Sequence, residues 1–255
     1  MKYFSPHRRT CLITAILAAC AASGPLLAQS SASPSFKWVA GDLPPFVWTN
    51  SNGPQGLAYE LAVAMAQRMG RESDVSFYPW ARAMRMVTEG QNVGIFPLAR
   101  TPEREASFHW LAPLMRVKYV FFFRNGDERA ERPVEQLRAN RIGVLRGSLS
   151  AQSLQANRFI HIVETKDYRD LLRMLNEGMV HAIYAGAPMM RAAIMQHGFS
   201  TEDYRIGATL DEAELYMGAS LAVPAAEVER WRAAYRELQQ DGTVARLQKK
   251  YLGDR

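Results

Sequence analysis

The chain of 255 residues has little cysteine, and both of its cysteines, Cys11 and Cys20, fall in the first twenty residues. No disulfide or thiolate metal site can form beyond them, so the remainder must stand on its apolar core, which its length allows. The histidines, His7, His109, His161, His181 and His197, are scattered with no His-x-x-x-His pair, so a zinc pattern is absent. There is no Gly-x-Ser-x-Gly elbow and no phosphate loop; Arg146-Gly147-Ser148 is far too short for one. No metal and no other cofactor is expected. Long apolar runs are missing as well, and the best candidate, Cys11 to Ala19, falls short of the roughly 20 residues that span a bilayer. The formal net charge is +6, but residues 1–28 hold three basic residues and no acidic one, so without them it is +3. That excess is too mild to argue for nucleic acid.

The first 28 residues read instead as an export signal. Lys2, Arg8 and Arg9 precede the apolar stretch Cys11 to Ala19, and small residues lead to Ala28. Cleavage after Ala28 would release an exported protein. Leu17-Ala18-Ala19-Cys20 also resembles a lipoprotein signal, which would leave a lipid anchor at Cys20. A periplasmic location is expected on either reading.

From Phe36 onward short β-rich runs alternate with helical patterns. Strands are predicted over 36–40, 75–78, 93–97, 119–124, 141–145, 160–164, 182–185 and 216–223. Helices are predicted over Leu57–Met69, with Gly70 ending it, over Asp167–Glu177, with Asp167 as cap, and over Glu227–Gln240. In the last of these, Val228, Trp231, Tyr235 and Leu238 share one face. A final helix is predicted with Thr243 as its cap and Val244, Leu247 and Tyr251 inward, its Lys249 and Lys250 face being solvated. The methionines Met174, Met179, Met189, Met190 and Met195 fall where core is expected. Alternation of this kind argues for an α/β fold with largely parallel sheets.

One stretch concentrates charge. Leu98-Ala99-Arg100-Thr101-Pro102-Glu103-Arg104-Glu105 follows an apolar strand and precedes Phe108 and Trp110. Thr101 and Pro102 suit the first turn of a helix. Such a turn would aim Arg104 into the crevice beyond the strand's C-terminal end, where open α/β sheets hold their ligands, and a guanidinium there can clamp a carboxylate through two hydrogen bonds. The competing reading is a surface salt-bridge cluster of Arg100, Glu103, Arg104 and Glu105. Trp80, in Tyr78-Pro79-Trp80-Ala81-Arg82, either staples the helix that it opens or stacks on a ligand, with Arg82 adding positive field.

Thr101-Pro102-Glu103-Arg104 resembles the T-x-E-R segment of bacterial extracellular solute-binding proteins of family 3, the polar amino-acid receptors of ABC importers. Leu43-Pro44-Pro45-Phe46 with Gly56–Leu61, Arg141–Ser148, and Asp241-Gly242-Thr243 through Tyr251-Leu252-Gly253 resemble three further family segments, in order. The resemblance implies a two-lobed periplasmic-binding-protein-like α/β fold of type II, its lobes joined by two hinge strands. Lobe one would comprise 36–116 plus 215–255 and lobe two 117–214. It implies Arg104 as the anchor of the ligand carboxylate, a backbone contact at Ala99, amide donors around Ser148, and aromatic walls at Phe46 and Trp80. A membrane permease is the implied partner, and a monomer is expected.

The resemblance breaks at one place. Family members usually carry an aspartate for the ligand's ammonium where this chain has Gly186. A buried ammonium without a carboxylate is costly, so the expected ligand is a carboxylate or other small anion, or an amino-acid-like molecule held differently, with Arg146 adding charge. Two alternatives share the fold. One is a sensory receptor; the other is a dehydratase of the cyclohexadienyl dehydratase type, for which Glu60 or Glu103 would have to serve as the acid.

Overall fold

The structure, a computed structural model, describes residues 36–253. The stretch read as an export signal, with Cys11 and Cys20, lies outside the described residues. The strands are β1 (Lys37–Ala40), β2 (Trp48–Asn50), β3 (Gly53–Gln55), β4 (Asp74–Phe77), β5 (Val93–Arg100), β6 (Phe108–Arg124), β7 (Arg141–Leu145), β8 (His161–Thr165), β9 (Ala182–Gly186) and β10 (Tyr204–Ser220). The helices are α1 (Leu57–Arg68), α2 (Trp80–Glu89), α3 (Val134–Leu137), α4 (Leu149–Ala156), α5 (Tyr168–Asn176), α6 (Ala187–Gln196), α7 (Ala225–Gln240) and α8 (Thr243–Leu252).

Eight strands run in the order β4-β1-β5-β10-β6-β9-β7-β8, and β2 and β3 form a small separate hairpin. The parallel pairing expected from the αβ alternation is confined to the two flanks, β4-β1-β5 and β9-β7-β8. The centre is antiparallel, because β6 and β10 each extend over 17 residues and pair along most of their length. One half of each long strand belongs to each flank, which gives the two-lobed α/β architecture with two strands passing between the lobes.

Each flank has its own aromatic core. Trp38, Phe36, Phe96 and Trp231 pack together at centroid separations of 4.9–5.1 Å on one side. On the other, Phe121 stacks on Phe159 and lies against Tyr184. The predicted face of α7 is buried, with Val228, Trp231, Tyr235 and Leu238 all inward. Gly70 follows the C-cap of α1 at φ +68°, the left-handed position that glycine fills without steric cost. Asp167 caps α5, its Oδ1 accepting from the Asp170 amide at 2.8 Å.

Several local expectations are corrected. The strand predicted over 119–124 is one end of the much longer β6, and that over 216–223 covers the last five residues of β10 and the turn after it. The middle of both long strands carries polar residues such as Lys118, Asp211 and Glu212, which are exposed or half-buried. The cap of α8 is Gly242 at φ +81°, and Thr243 is its first residue. Lys250 is not merely solvated but reaches Glu60 on α1 at 2.7 Å. Met179 and Met195 are 48% and 63% exposed, since each sits at the surface end of its helix or turn instead of in the core.

Candidate functional site

The turn after β5 resolves the ambiguity of the charged stretch in both directions at once. Pro102 opens a six-residue 3-10 helix, and Thr101 occupies the cap position with extended backbone but makes no side-chain cap. Arg100 and Glu105 take the surface pair, joined by two hydrogen bonds, one of 2.8 Å. The tight turn sends Arg104 the other way. Its side chain is buried, with 6% of the residue exposed. Nη2 donates to Oε1 of Gln152 at 3.0 Å and Nη1 to the Ala99 carbonyl at 3.4 Å. Among the described residues no carboxylate lies within ion-pair distance of it. Burial lowers its pKa from the ordinary arginine value, yet a guanidinium keeps its proton in proteins. The result is a buried cation that Glu103 offsets only from a distance, with no ion pair among the described residues.

The opposite wall comes from the second lobe. Ser148 caps α4, its Oγ accepting from the Ala151 amide at 3.3 Å. Gln152 follows four residues later, on the same helix face. Trp80, the first residue of α2, is 5% exposed and donates from Nε1 to the Gly147 carbonyl at 3.2 Å. A Cβ at Gly147 would stand 3.2 Å from Ala81, and its φ is +72°, so this crossing between the lobes needs glycine twice over. Beside it lies a cavity of about 270 Å³, lined from one lobe by Asp42, Leu43, Phe77, Tyr78 and Trp80 and from the other by Leu145, Lys166 and Asp167.

The remaining candidates separate. Ala99 is buried at the end of β5, where its carbonyl receives Arg104. Phe46 is fully buried and does not line this cavity; its carbonyl accepts the Ala58 amide at 2.8 Å, fixing the start of α1. Arg146 has a side chain 61% exposed and paired with Glu164 at 3.5 Å, so it stands at the rim. Arg82 lies over the Tyr78 ring at 4.8 Å. Gly186 caps α6, and a Cβ there would meet the Met189 methyl at 2.2 Å and Val117 at 3.1 Å. The position that lacks an aspartate is therefore filled by apolar groups. Neither acid considered for a dehydratase faces Arg104 closely enough to pair with it: Glu60 accepts from Lys250 and Tyr251, and Glu103 is exposed.

Two residues beside Arg104, Gln152 and Tyr119, were not anticipated, nor was Asp211, which lies beside Tyr119. Tyr119 is buried, which raises its pKa, while the nearby Arg104 acts to lower it and Asp211 to raise it. Asp211 accepts hydrogen bonds from Ser153 of α4 and Tyr184 of β9. Gln152 was legible from its spacing to Ser148. Asp211 was not, because only the pairing of β10 with β6 carries it there.

This geometry has known counterparts. The chain is 26% identical over 164 residues to a membrane-bound lytic murein transglycosylase F of Ectopseudomonas mendocina, a match covering 61% of this chain and 33% of that protein. The chain thus spans about a third of the curated relative that it matches. A substrate-binding protein of an ABC uptake transporter from Streptococcus pneumoniae, solved with bound histidine, superposes with a TM-score of 0.75 at 16% identity, covering 86% of this chain and 92% of that one. A histidine kinase sensor domain with similarity to periplasmic binding proteins superposes with a TM-score of 0.76 at 20% identity, covering 86% and 96%. At such identities these structures establish the fold. The model of the bacterial extracellular solute-binding proteins, family 3, matches residues 38–254. The chain, with two parallel flanks on one sheet, two long antiparallel strands between them and a buried arginine where the lobes meet, belongs to that family.

Proposed function

We propose that this protein is exported to the periplasm and captures a small carboxylate-bearing ligand between its lobes for an ABC-type importer, without catalysing a reaction on it. The observation that carries this reading is Arg104, a buried guanidinium with no carboxylate partner among the described residues, held at the junction of the lobes by Ala99 and Gln152. A carboxylate would supply the missing charge through two parallel hydrogen bonds. Gln152 is exposed and Trp80 crosses to Gly147, so both contacts join the lobes and can be exchanged for ligand contacts. Lobe one is taken as 36–116 plus 215–255 and lobe two as 117–214. Those boundaries cut the long strands near one rung of their ladder, Arg116 opposite Glu214 and Val117 opposite Ala213. Ligand binding to one lobe, followed by contacts from the other, raises the closed population, which a membrane permease then recognises.

The likeness to a kinase sensor domain supports a second reading, in which the same closure signals to a membrane partner. Both readings share the site. A thermal-shift screen of the mature protein over carboxylates and amino acids tests it, because a ligand that binds only the native state raises Tm. A carboxylate-bearing compound should raise Tm in the unaltered protein and not in Arg104→Met. An equal shift in both proteins would remove Arg104 from the site.

A further inference from the structure

The end of lobe two away from the cleft holds a larger cavity, of about 740 Å³. Strand direction places it there. β7, β8 and β9 run parallel, so their last residues, among them Leu145, face the cleft and their first residues face the opposite end. Asn140 and His181, which immediately precede β7 and β9, line this second cavity, as does Arg124 where antiparallel β6 ends. At the usual rise of a strand, the length of β7 separates the two cavities by roughly 15 Å.

The charges on its lining do not cancel. Asp127 is taken up by Arg129, accepting from Nε and Nη2 at 2.8 Å each and from the backbone amide at 2.9 Å. Arg205, just beyond, is balanced by Glu131 at 2.9 Å. Arg124 and Arg132 remain. Both are exposed, and neither has a carboxylate partner among the described residues; Arg124 makes one long hydrogen bond, 3.3 Å, to the Asn176 carbonyl. On the lining, Glu128 is the acid left to oppose them, and it too is exposed. Two neutral donors join these cations. His181 Nδ1 accepts from the Arg141 amide at 3.2 Å, which leaves the ring hydrogen on Nε2. Burial, with Arg129 and Arg141 nearby, lowers the His181 pKa and keeps the ring neutral at pH 7. Asn140 Nδ2 is buried in the wall with no hydrogen-bond partner among the described residues, which costs stability unless something accepts from it.

We propose that this distal cavity binds a phosphate group, held by Arg124 and Arg132 and oriented by the Asn140 amide and the Nε2–H of His181. Guanidinium groups pair with phosphate through two parallel hydrogen bonds. The four donors stand on four segments: the end of β6, the residue closing the 3-10 turn Glu128–Glu131, and the residues before β7 and β9. Donors spread around one cavity suit the tetrahedral oxygens of phosphate better than the flat fork of a carboxylate. The volume leaves room for more than the phosphate itself, so the group enters as an ester. A soluble phosphate ester and a phospholipid headgroup share that chemistry. The site owes nothing to Arg104 and stands apart from the reading of the cleft.

Two arms of one experiment separate the sources. Calorimetry of the mature protein with glycerol 3-phosphate reads the soluble ester. Flotation with vesicles of phosphatidylglycerol and phosphatidylcholine in equal parts reads the headgroup. At least one probe should bind the unaltered protein, and Arg124→Gln combined with Arg132→Gln should weaken that binding about tenfold or more. Both side chains are exposed, so the double variant should fold. Arg236→Gln with Arg246→Gln removes the same charge from exposed positions on α7 and α8. It should change binding by less than about twofold, because charges beyond a Debye length are screened. Ester binding that the Arg124 and Arg132 changes abolish identifies a soluble ligand; vesicle capture that they abolish, without ester binding, identifies a headgroup. The inference falls if neither probe binds or if the double variant binds like the unaltered protein. It also falls if the α7 and α8 changes weaken binding as much, which would mark net charge alone. Ester binding lost in Arg104→Met and kept in the double variant would put the phosphate in the cleft, overturning the distal site.

Discussion

Replacing Arg104 by methionine should stabilise the ligand-free protein while abolishing ligand capture. The side chain is buried with 6% of the residue exposed, and no carboxylate among the described residues lies within ion-pair distance of it. Burying an ion in a protein costs several kcal/mol after relaxation. Against this stand a hydrogen bond of 3.0 Å to Gln152 and a long one of 3.4 Å to the Ala99 carbonyl. Hydrogen bonds to charged groups contribute about 1.5–3 kcal/mol each, and the long one falls at the bottom of that range. Methionine keeps the apolar stem, and the exposed Gln152 side chain can turn to water. The balance is a gain of about 1–2 kcal/mol, an estimate drawn from these ranges. For a protein of this size each kcal/mol moves Tm by roughly 2–4 °C. Differential scanning calorimetry of the mature ligand-free proteins should place Arg104→Met about 2–8 °C above the unaltered chain. A fall of several degrees would show that Arg104 is a structural brace, and the reasoning from an uncompensated charge would fail.

Two further outcomes are expected. Gly186→Ala puts a Cβ against the Met189 methyl and Val117, so it should destabilise by about 1–2 kcal/mol; Gly186→Ala combined with Met189→Ala should recover part of the loss in chemical denaturation. Burial alone would raise the pKa of Glu60, but hydrogen bonds from Lys250 and Tyr251 outweigh it and hold the folded value below the ordinary glutamate range. Its stabilising contribution is therefore present above the unfolded pKa and lost as pH falls through the lowered folded value. Glu60→Gln should cost about 1 kcal/mol or less at pH 7 and nothing at low pH, so the two stability curves should converge on acidification.

The flanks of the fold were legible in the sequence because they rest on local signals. Short strands such as β7 and β9 are bounded by turn residues, and α5 and α7 carry caps or apolar stripes that need no partner to be read. The centre was not. β6 and β10 are long because each is the other's partner, and a strand that includes Lys118 or Asp211 has no alternation pointing to one core. The site divides the same way. Arg104 could be placed from the turn that presents it, and Trp80 from the helix that it opens. Arg146 was noticed because it stands two residues before Ser148, and its side chain pairs with Glu164 at the surface. Asp211 enters only through cross-strand register, which spacing along one chain segment does not encode.

On this reading Arg104 waits for a carboxylate. A crystal structure of the mature protein with the tightest compound from the thermal-shift screen tests it directly. The carboxylate oxygens should lie within hydrogen-bonding distance of both Nη atoms of Arg104, with the Gln152 contact broken. A bound molecule elsewhere, with the Arg104 to Gln152 hydrogen bond intact, would contradict the account.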